Sequence, residues 1–158
     1  MSEKKVAIMM GSKSDIPVME AAKNILEEFG IGCDFRVLSA HRTPKETVEY
    51  AEHLEDKGFK VVICGAGMSA ALPGVVAAHT TLPVIGVPID ASLMGLDSLL
   101  STVQMPPGVP VGAVAIGKAG AKNAGYLALR ILALSDEALG KKLVKHRDDQ
   151  RKQILNGG

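Results

Sequence analysis

Short apolar runs alternate with helical patterns along this whole sequence, and that alternation limits the possible folds more than any other feature. Val6–Met10, Cys33–Leu38, Val61–Cys64, Val84–Val87 and Val111–Ile116 read as strands. Between them, apolar residues recur at helical spacing. They mark Ile16–Phe29, with Val18, Ala21, Ala22, Ile25, Leu26 and Phe29 on one side, then Pro44 to about Lys57, Ser69–His79, Leu93–Val103 and Ala119–Leu134. A last helix, Asp136–Leu155, is highly charged. Strands separated by helices form βαβ units with right-handed crossovers, and these build one parallel sheet covered on both faces. The expected architecture is α/β: a three-layer, flavodoxin-like parallel sheet in the order 2-1-3-4-5, with helices on both faces and a C-terminal helix.

A chain of 158 residues suits one domain, residues 1–158, with 136–158 as a C-terminal helical extension. Its formal net charge of +1 provides no field that would favour nucleic acid or an anionic membrane. The basic stretch Lys141–Lys152 is interrupted by Asp148 and Asp149 and reads as a solvated or inter-subunit helix. The apolar stretch after Lys5 is too short for a leader peptide, and no run approaches the ~18 residues of a membrane helix. Cys33 and Cys64 lie in apolar strands and read as reduced core residues. A cytoplasmic protein is expected.

From Val61 to Gly117 only Asp90 and Asp97 carry a formal charge, although the chain as a whole is 22% charged. Some of that stretch must face outward, and an uncharged outer face is unusual on a free monomer. The expectation is a homo-oligomer that buries much of Val61–Gly117 between its subunits.

In a sheet of this kind ligands bind outside the carboxyl ends of the strands, near the switch in strand order. After the first strand comes Gly11-Ser12-Lys13-Ser14-Asp15. Gly11 permits a tight turn, Ser14 or Asp15 can cap the next helix, and the helix start offers N–H groups to an anion. After the second strand comes Ser39-Ala40-His41-Arg42-Thr43-Pro44-Lys45-Glu46. Thr43 and Glu46 have capping-box spacing, and Pro44 suits the first helical position. Arg42 is a natural partner for a phosphate. His41 is the candidate proton carrier, because an unperturbed imidazole titrates near pH 6.5. After the third strand, Gly65-Ala66-Gly67-Met68-Ser69-Ala70-Ala71-Leu72 gives backbone that a ligand can approach closely.

His53 and His146 sit in charged helices and His79 ends one, so none is assigned a role. Gly112–Ala119 almost spells a phosphate-binding P-loop, but its middle is strand-like and Ala119 replaces the hydroxyl that would hold magnesium. The Gly65–Ala70 segment lacks the third glycine of a dinucleotide fingerprint. No His, Cys, Asp or Glu cluster has metal-ligand spacing, and neither metal nor cofactor is expected.

Taken together, Met10–Asp15, Ser39–Pro44 and Gly65–Gly67 closely resemble the 5-(carboxyamino)imidazole ribonucleotide mutase family. Gly95–Leu100, Val103–Pro106 and Gly117–Ala121 match it in order and spacing, so the resemblance runs from about Val6 to Leu134. It implies an isomerase of purine biosynthesis that moves a carboxyl group from an exocyclic nitrogen to ring carbon C4 without ATP or metal, and that assembles as an octamer. It implies His41 as the catalytic residue. Ser12, Asp15 and Arg42 would hold the ribose phosphate, with Asp15 at a ribose hydroxyl and Arg42 at the phosphate. Gly11, Ser14, Ser39, Ala40, Gly67, Met68, Ser69 and Leu72 would complete the pocket, Met68 and Leu72 as apolar walls.

Bacterial mutases commonly read Gly-Ala-Gly-Gly-Ala-Ala-His-Leu-Pro-Gly after the third strand, whereas this chain has Met68, Ser69 and Ala71 and no histidine there. The related aminoimidazole ribonucleotide carboxylases, which use carbon dioxide directly, carry Gly-Arg-Ser in this segment. The carboxylase therefore stays open as the alternative, while Gly95–Met105 and Gly117–Ala121 favour the mutase. A flavin carrier of the same fold is disfavoured by 3% aromatics and no tryptophan. A phospho-receiver would want paired acids after the first strand, where only Asp15 lies.

Overall fold

The structure, a computed structural model, describes residues 4–157. The elements run β1 (Lys4–Met10), α1 (Ile16–Glu28), β2 (Gly32–Val37), α2 (Pro44–Glu52), β3 (Val61–Gly67), α3 (Leu72–Ala78), β4 (Val84–Ile89), α4 (Leu96–Val103), β5 (Gly112–Ala113), α5 (Gly117–Leu132) and α6 (Glu137–Leu155). The five strands form one parallel sheet in the order β2-β1-β3-β4-β5, as the sequence pattern implies.

Strand periodicity sorts the side chains into two cores. Val6, Ile8 and Met10 of β1, with Ile63, Ile85 and Val87, pack under Met19, Ala22, Leu26, Ala124 and Leu129 of α1 and α5. Ala7 and Met9, with Val62 and Cys64, face Tyr50, Ala51, Leu54, Leu72 and Val76 on the other side. Every side chain of Val6–Met10 and Val61–Cys64 is fully buried. Burial at this level contributes about 1.5–3 kcal/mol for each large apolar side chain. Small residues let α5 approach α1 closely: a Cβ on Gly125 would stand 3.0 Å from the Ala22 carbonyl oxygen. Burial also pushes the Cys64 thiol pKa up, so it stays protonated.

The fifth strand is much shorter than the apolar run Val111–Ile116 suggests. Ile85 pairs with Gly112 and Gly86 with Ala113, and the Val114 N–H donates to the Gly86 carbonyl oxygen at 3.1 Å. The next rung would need a donor from residue 88 on the same side of β4, and Pro88 has no N–H. Pairing stops there.

Helices α2, α3 and α4 begin or end inside their expected spans, whereas α5 begins ahead of its expected start. α2 stops at Glu52, α3 starts only at Leu72, α4 at Leu96, and α5 already at Gly117. Helix α6 carries a true N-cap, with Asp136 Oδ1 accepting from the Leu139 N–H at 3.0 Å. Among its described residues only Leu139 is fully buried, and the His146 ring lies against Phe29 and Tyr126.

Candidate active site

Three loops meet at the carboxyl ends of β1, β2 and β3. The Gly11 N–H donates to the Gly65 carbonyl oxygen at 3.3 Å, and the Leu38 N–H donates to the Met10 carbonyl oxygen at 2.8 Å. The strand order therefore brings the first two signature segments, and the start of the third, to one edge of the sheet.

In the first loop, Ser12 rather than Ser14 or Asp15 acts as the cap. It is extended (φ −150°), and its hydroxyl accepts from the Ser14 N–H at 3.3 Å and the Ser14 hydroxyl at 2.9 Å. This closes a short 3-10 turn, Lys13–Asp15, ahead of α1. Asp15 occupies the cap position of α1 but makes no side-chain cap bond. It is instead tucked inward at 9% exposure, close enough that a Cβ on Gly11 would stand 3.9 Å from its Oδ2. Burial raises the Asp15 pKa above the usual carboxylate value, opposed by hydrogen bonds from the Ser12 backbone and Ser14 and by the charge of Arg42.

The second loop is held by side chains as well as backbone. The expected capping box at Thr43 and Glu46 does not form, since Thr43 makes no side-chain cap bond to α2. Its hydroxyl turns back to Ser39, accepting from the Ser39 N–H at 2.9 Å and donating to the Ser39 carbonyl oxygen at 3.1 Å. The helix thereby forgoes a cap that is worth about 1 kcal/mol. The Ser39 hydroxyl accepts from the Arg42 N–H at 3.1 Å and faces Arg42 Nε at 3.4 Å. Arg42 Nη2 donates to the Gly11 carbonyl oxygen at 2.7 Å, across the two loops. His41 and Arg42 are both exposed, Ala40 is half-buried, and the His41 imidazole has no hydrogen-bond partner among the described residues.

Gly11, Ser12, Lys13, Val37, Ser39, Arg42 and Thr43 line a pocket of about 360 Å³ between these loops. Lys13, Val37 and Thr43 were not among the expected binding residues. Lys13 and Val37 come beside Arg42 through the β1–β2 pairing, and Thr43 is its neighbour in the chain. Asp15 and His41 flank the pocket without lining it. A larger hollow of about 580 Å³ lies between α5 and α6, and none of its lining residues belongs to the three loops.

The third loop departs furthest from expectation. Leu72 is 2% exposed and packs in the core with Tyr50, Leu54 and Val76, so its side chain does not stand in the crevice as a wall. As the first residue of α3 it turns inward, as the apolar face of that helix requires. Met68 is 60% exposed and Ser69 is exposed. Met68 also adopts φ +56°, a left-handed conformation that favours glycine. The common mutase pattern has a glycine at this position, and the local backbone shows why. A Cβ on the preceding Gly67 would come within 3.3 Å of the Ile89 carbonyl oxygen.

The sequence model of AIR carboxylase matches residues 5–153. The chain belongs to the AIR carboxylase family. Curated relatives within reach of this family carry the name N5-carboxyaminoimidazole ribonucleotide mutase. One from Vibrio parahaemolyticus is 51% identical over 152 residues, covering 96% of this chain and 94% of the relative. One from Saccharolobus solfataricus is 54% identical over 153 residues, covering 96% of each. One from Bacillus subtilis is 53% identical over 151 residues, covering 95% of this chain and 93% of the relative. Among solved structures, that of Treponema denticola PurE superposes with a TM-score of 0.88 at 30% identity, covering 97% of this chain and 95% of that one. Within this family member, Ser12 and Arg42 line one pocket, and Asp15 lies beside Gly11 at its margin. Among the described residues, no group of three His, Cys, Asp or Glu side chains could hold a metal ion, and no helix is long and apolar enough to cross a membrane.

Proposed function

We propose that this chain is an isomerase that converts 5-(carboxyamino)imidazole ribonucleotide into 4-carboxy-5-aminoimidazole ribonucleotide in purine biosynthesis. The observation that carries the assignment of the site is the Arg42 guanidinium, anchored at 2.7 Å to the Gly11 carbonyl oxygen with Ser12 lining the same pocket. Anchored in this way, the guanidinium keeps further N–H donors for the phosphate of a ribonucleotide. Asp15, buried beside Gly11, accepts from a ribose hydroxyl. Gly11, Ser14, Ser39 and Ala40 shape the surrounding backbone, and Gly67, Met68 and Ser69 form the side towards β3.

His41 carries the proton. The bond between the exocyclic nitrogen and its carboxyl carbon breaks, releasing carbon dioxide, and the imidazolium protonates the nitrogen to give the free amine. Ring carbon C4 then attacks the retained carbon dioxide, and the now neutral imidazole removes the C4 proton to restore aromaticity. One histidine returns to its starting state after each turnover, so neither metal nor cofactor enters the scheme. The crevice must hold carbon dioxide between the halves, and excluding water serves that purpose.

A second reading, direct carboxylation of aminoimidazole ribonucleotide by carbon dioxide, draws on Ala71 standing where the common mutase pattern has histidine. The names of relatives at about 50% identity favour the mutase. The deciding experiment offers each ribonucleotide separately, with and without added bicarbonate. Turnover of the carboxyamino compound without bicarbonate supports the mutase; turnover of aminoimidazole ribonucleotide alone, dependent on bicarbonate, replaces it.

The working form in this reading is a cytoplasmic homo-octamer. The central strands β3 and β4 are buried within the single chain and account for part of the charge-poor stretch. The remainder leaves Leu93, Met94, Leu96, Leu100 and Val103 at 49–83% exposure around α4, a face suited to neighbouring copies.

A further inference from the structure

We infer that Thr43 is a positioning residue for ribonucleotide binding, acting through Ser39 on Arg42. The inference rests on the proposed reading of Arg42 as the phosphate-binding residue. Thr43 stands at the cap position of α2, yet its hydroxyl does not cap that helix. Both functions of the hydroxyl are spent on one residue: it accepts from the Ser39 N–H at 2.9 Å and donates to the Ser39 carbonyl oxygen at 3.1 Å. The Thr43 N–H also donates to the Ser39 carbonyl oxygen, at 2.8 Å. Ser39 and Thr43 thus form a closed ring of contacts with His41 and Arg42 on the segment between them.

The far side of this ring is fixed as well. Thr47, fully buried in α2, donates from its hydroxyl to the Thr43 carbonyl oxygen at 2.8 Å. Thr43 is therefore held by the helix behind it and in turn holds Ser39 in front. With its backbone clamped, Ser39 presents its hydroxyl to the Arg42 N–H at 3.1 Å and to Nε at 3.4 Å. That leaves the guanidinium aligned on the Gly11 carbonyl oxygen at 2.7 Å. Arg42 is exposed, and an exposed arginine has many rotamers to lose on binding. A side chain already oriented loses fewer, which strengthens binding without any contact between Thr43 and the reacting atoms.

The test is Thr43→Val, which keeps the branched shape and removes the hydroxyl. It should raise the Michaelis constant for the ribonucleotide about tenfold with kcat within about twofold, and weaken competitive inhibition by inorganic phosphate by a similar factor. Thr43→Ser, which retains the hydroxyl, should bring both values back to within about twofold of the native enzyme. Because Thr43 is argued to act through Arg42, Thr43→Val should add little to the loss already caused by Arg42→Ala. Thr43→Ala gives the same comparison if the valine variant does not fold. Fully multiplicative effects, an unchanged Michaelis constant in Thr43→Val, or a loss confined to kcat would each overturn the inference. If Arg42→Ala leaves the Michaelis constant unchanged, the phosphate assignment itself fails. If only Thr43→Val is silent, that assignment stands and this inference alone falls.

Discussion

Arg42 Nη2 donates to the Gly11 carbonyl oxygen at 2.7 Å, a contact between residues 31 positions apart that ties the loop after β2 to the loop after β1. A cation held by a neutral carbonyl keeps its full charge for a ligand. Replacing Arg42 with Ala removes a charge-assisted contact worth about 1.5–3 kcal/mol, equivalent to roughly tenfold to a hundredfold in the Michaelis constant. Steady-state kinetics with the ribonucleotide will measure it. The fold should persist, because Arg42 is exposed and Ser39 and Thr43 still close the loop without it.

Asp15 links binding to stability with an opposite sign. Burial raises its pKa in the folded chain above its unfolded value of 3.8, so the folded state holds the proton more tightly. The stability Asp15 contributes is present below the unfolded pKa and is lost as pH rises through the folded value. At pH 7 the ionised carboxylate therefore opposes folding. Asp15→Asn should unfold at a higher temperature than the native chain at pH 7, and the difference should vanish below about pH 3.8. The same variant should bind the ribonucleotide more weakly. A thermal midpoint lowered at pH 7 would contradict the argument.

The five strands and their parallel direction were readable because each apolar run is bounded by turn residues and the intervening helices enforce parallel crossovers. The lateral order was suggested only by the usual arrangement of five-stranded sheets of this class. What escaped the reading depends on neighbours brought in by the fold. The run Val111–Ile116 has the composition of a strand, but pairing ends where Pro88 of β4 lacks its N–H. Thr43 and Glu46 have the spacing of a capping box, but Ser39 competes successfully for the Thr43 hydroxyl. Leu72 looked like a wall of the crevice and is in the core, because the helix starts at Leu72 rather than Ser69 and turns that side chain inward. Arg42 could be picked out as a phosphate partner from its residue type at a strand end, whereas Ser12 and Asp15 take their ribose and phosphate roles from the family resemblance. Val37 reads as part of an apolar strand run, and only its exposed place at the end of β2 puts it on the pocket with Lys13.

The exposed apolar face around α4 leads to a prediction about mass. Light scattering at micromolar concentration should give about eight times the 16.5 kDa of one chain. Leu96 and Leu100, at 57% and 50% exposure, are one turn apart on that face. Changing both to Glu should lower the mass of the assembly while leaving the helical circular dichroism of the chain in place. A native protein that scatters as a monomer would remove the octamer from the proposed function.

His41 is the one residue of the scheme whose loss should affect chemistry and spare binding. It lies exposed between Ala40 and Arg42, with no hydrogen bond from the described residues to define its ring. His41→Asn keeps a polar side chain of similar reach but cannot exchange a proton near neutrality. Turnover should fall by about a hundredfold to ten-thousandfold, the range for losing a general acid–base, and further if one imidazole serves both halves of the reaction. Inhibition by inorganic phosphate should be preserved, because Ser12 and Arg42 remain. Ala71→His provides the contrast. Ala71 stands just before α3 and is half-buried, and a histidine there restores the common mutase residue while leaving Arg42 and His41 themselves unchanged. If Met68 and Ser69 already compensate for the missing histidine, this change should alter turnover far less than His41→Asn does. Near-native turnover in His41→Asn, measured alongside Ala71→His under the same conditions, would remove the proton carrier from the mechanism and leave the ribose and phosphate contacts to be tested separately.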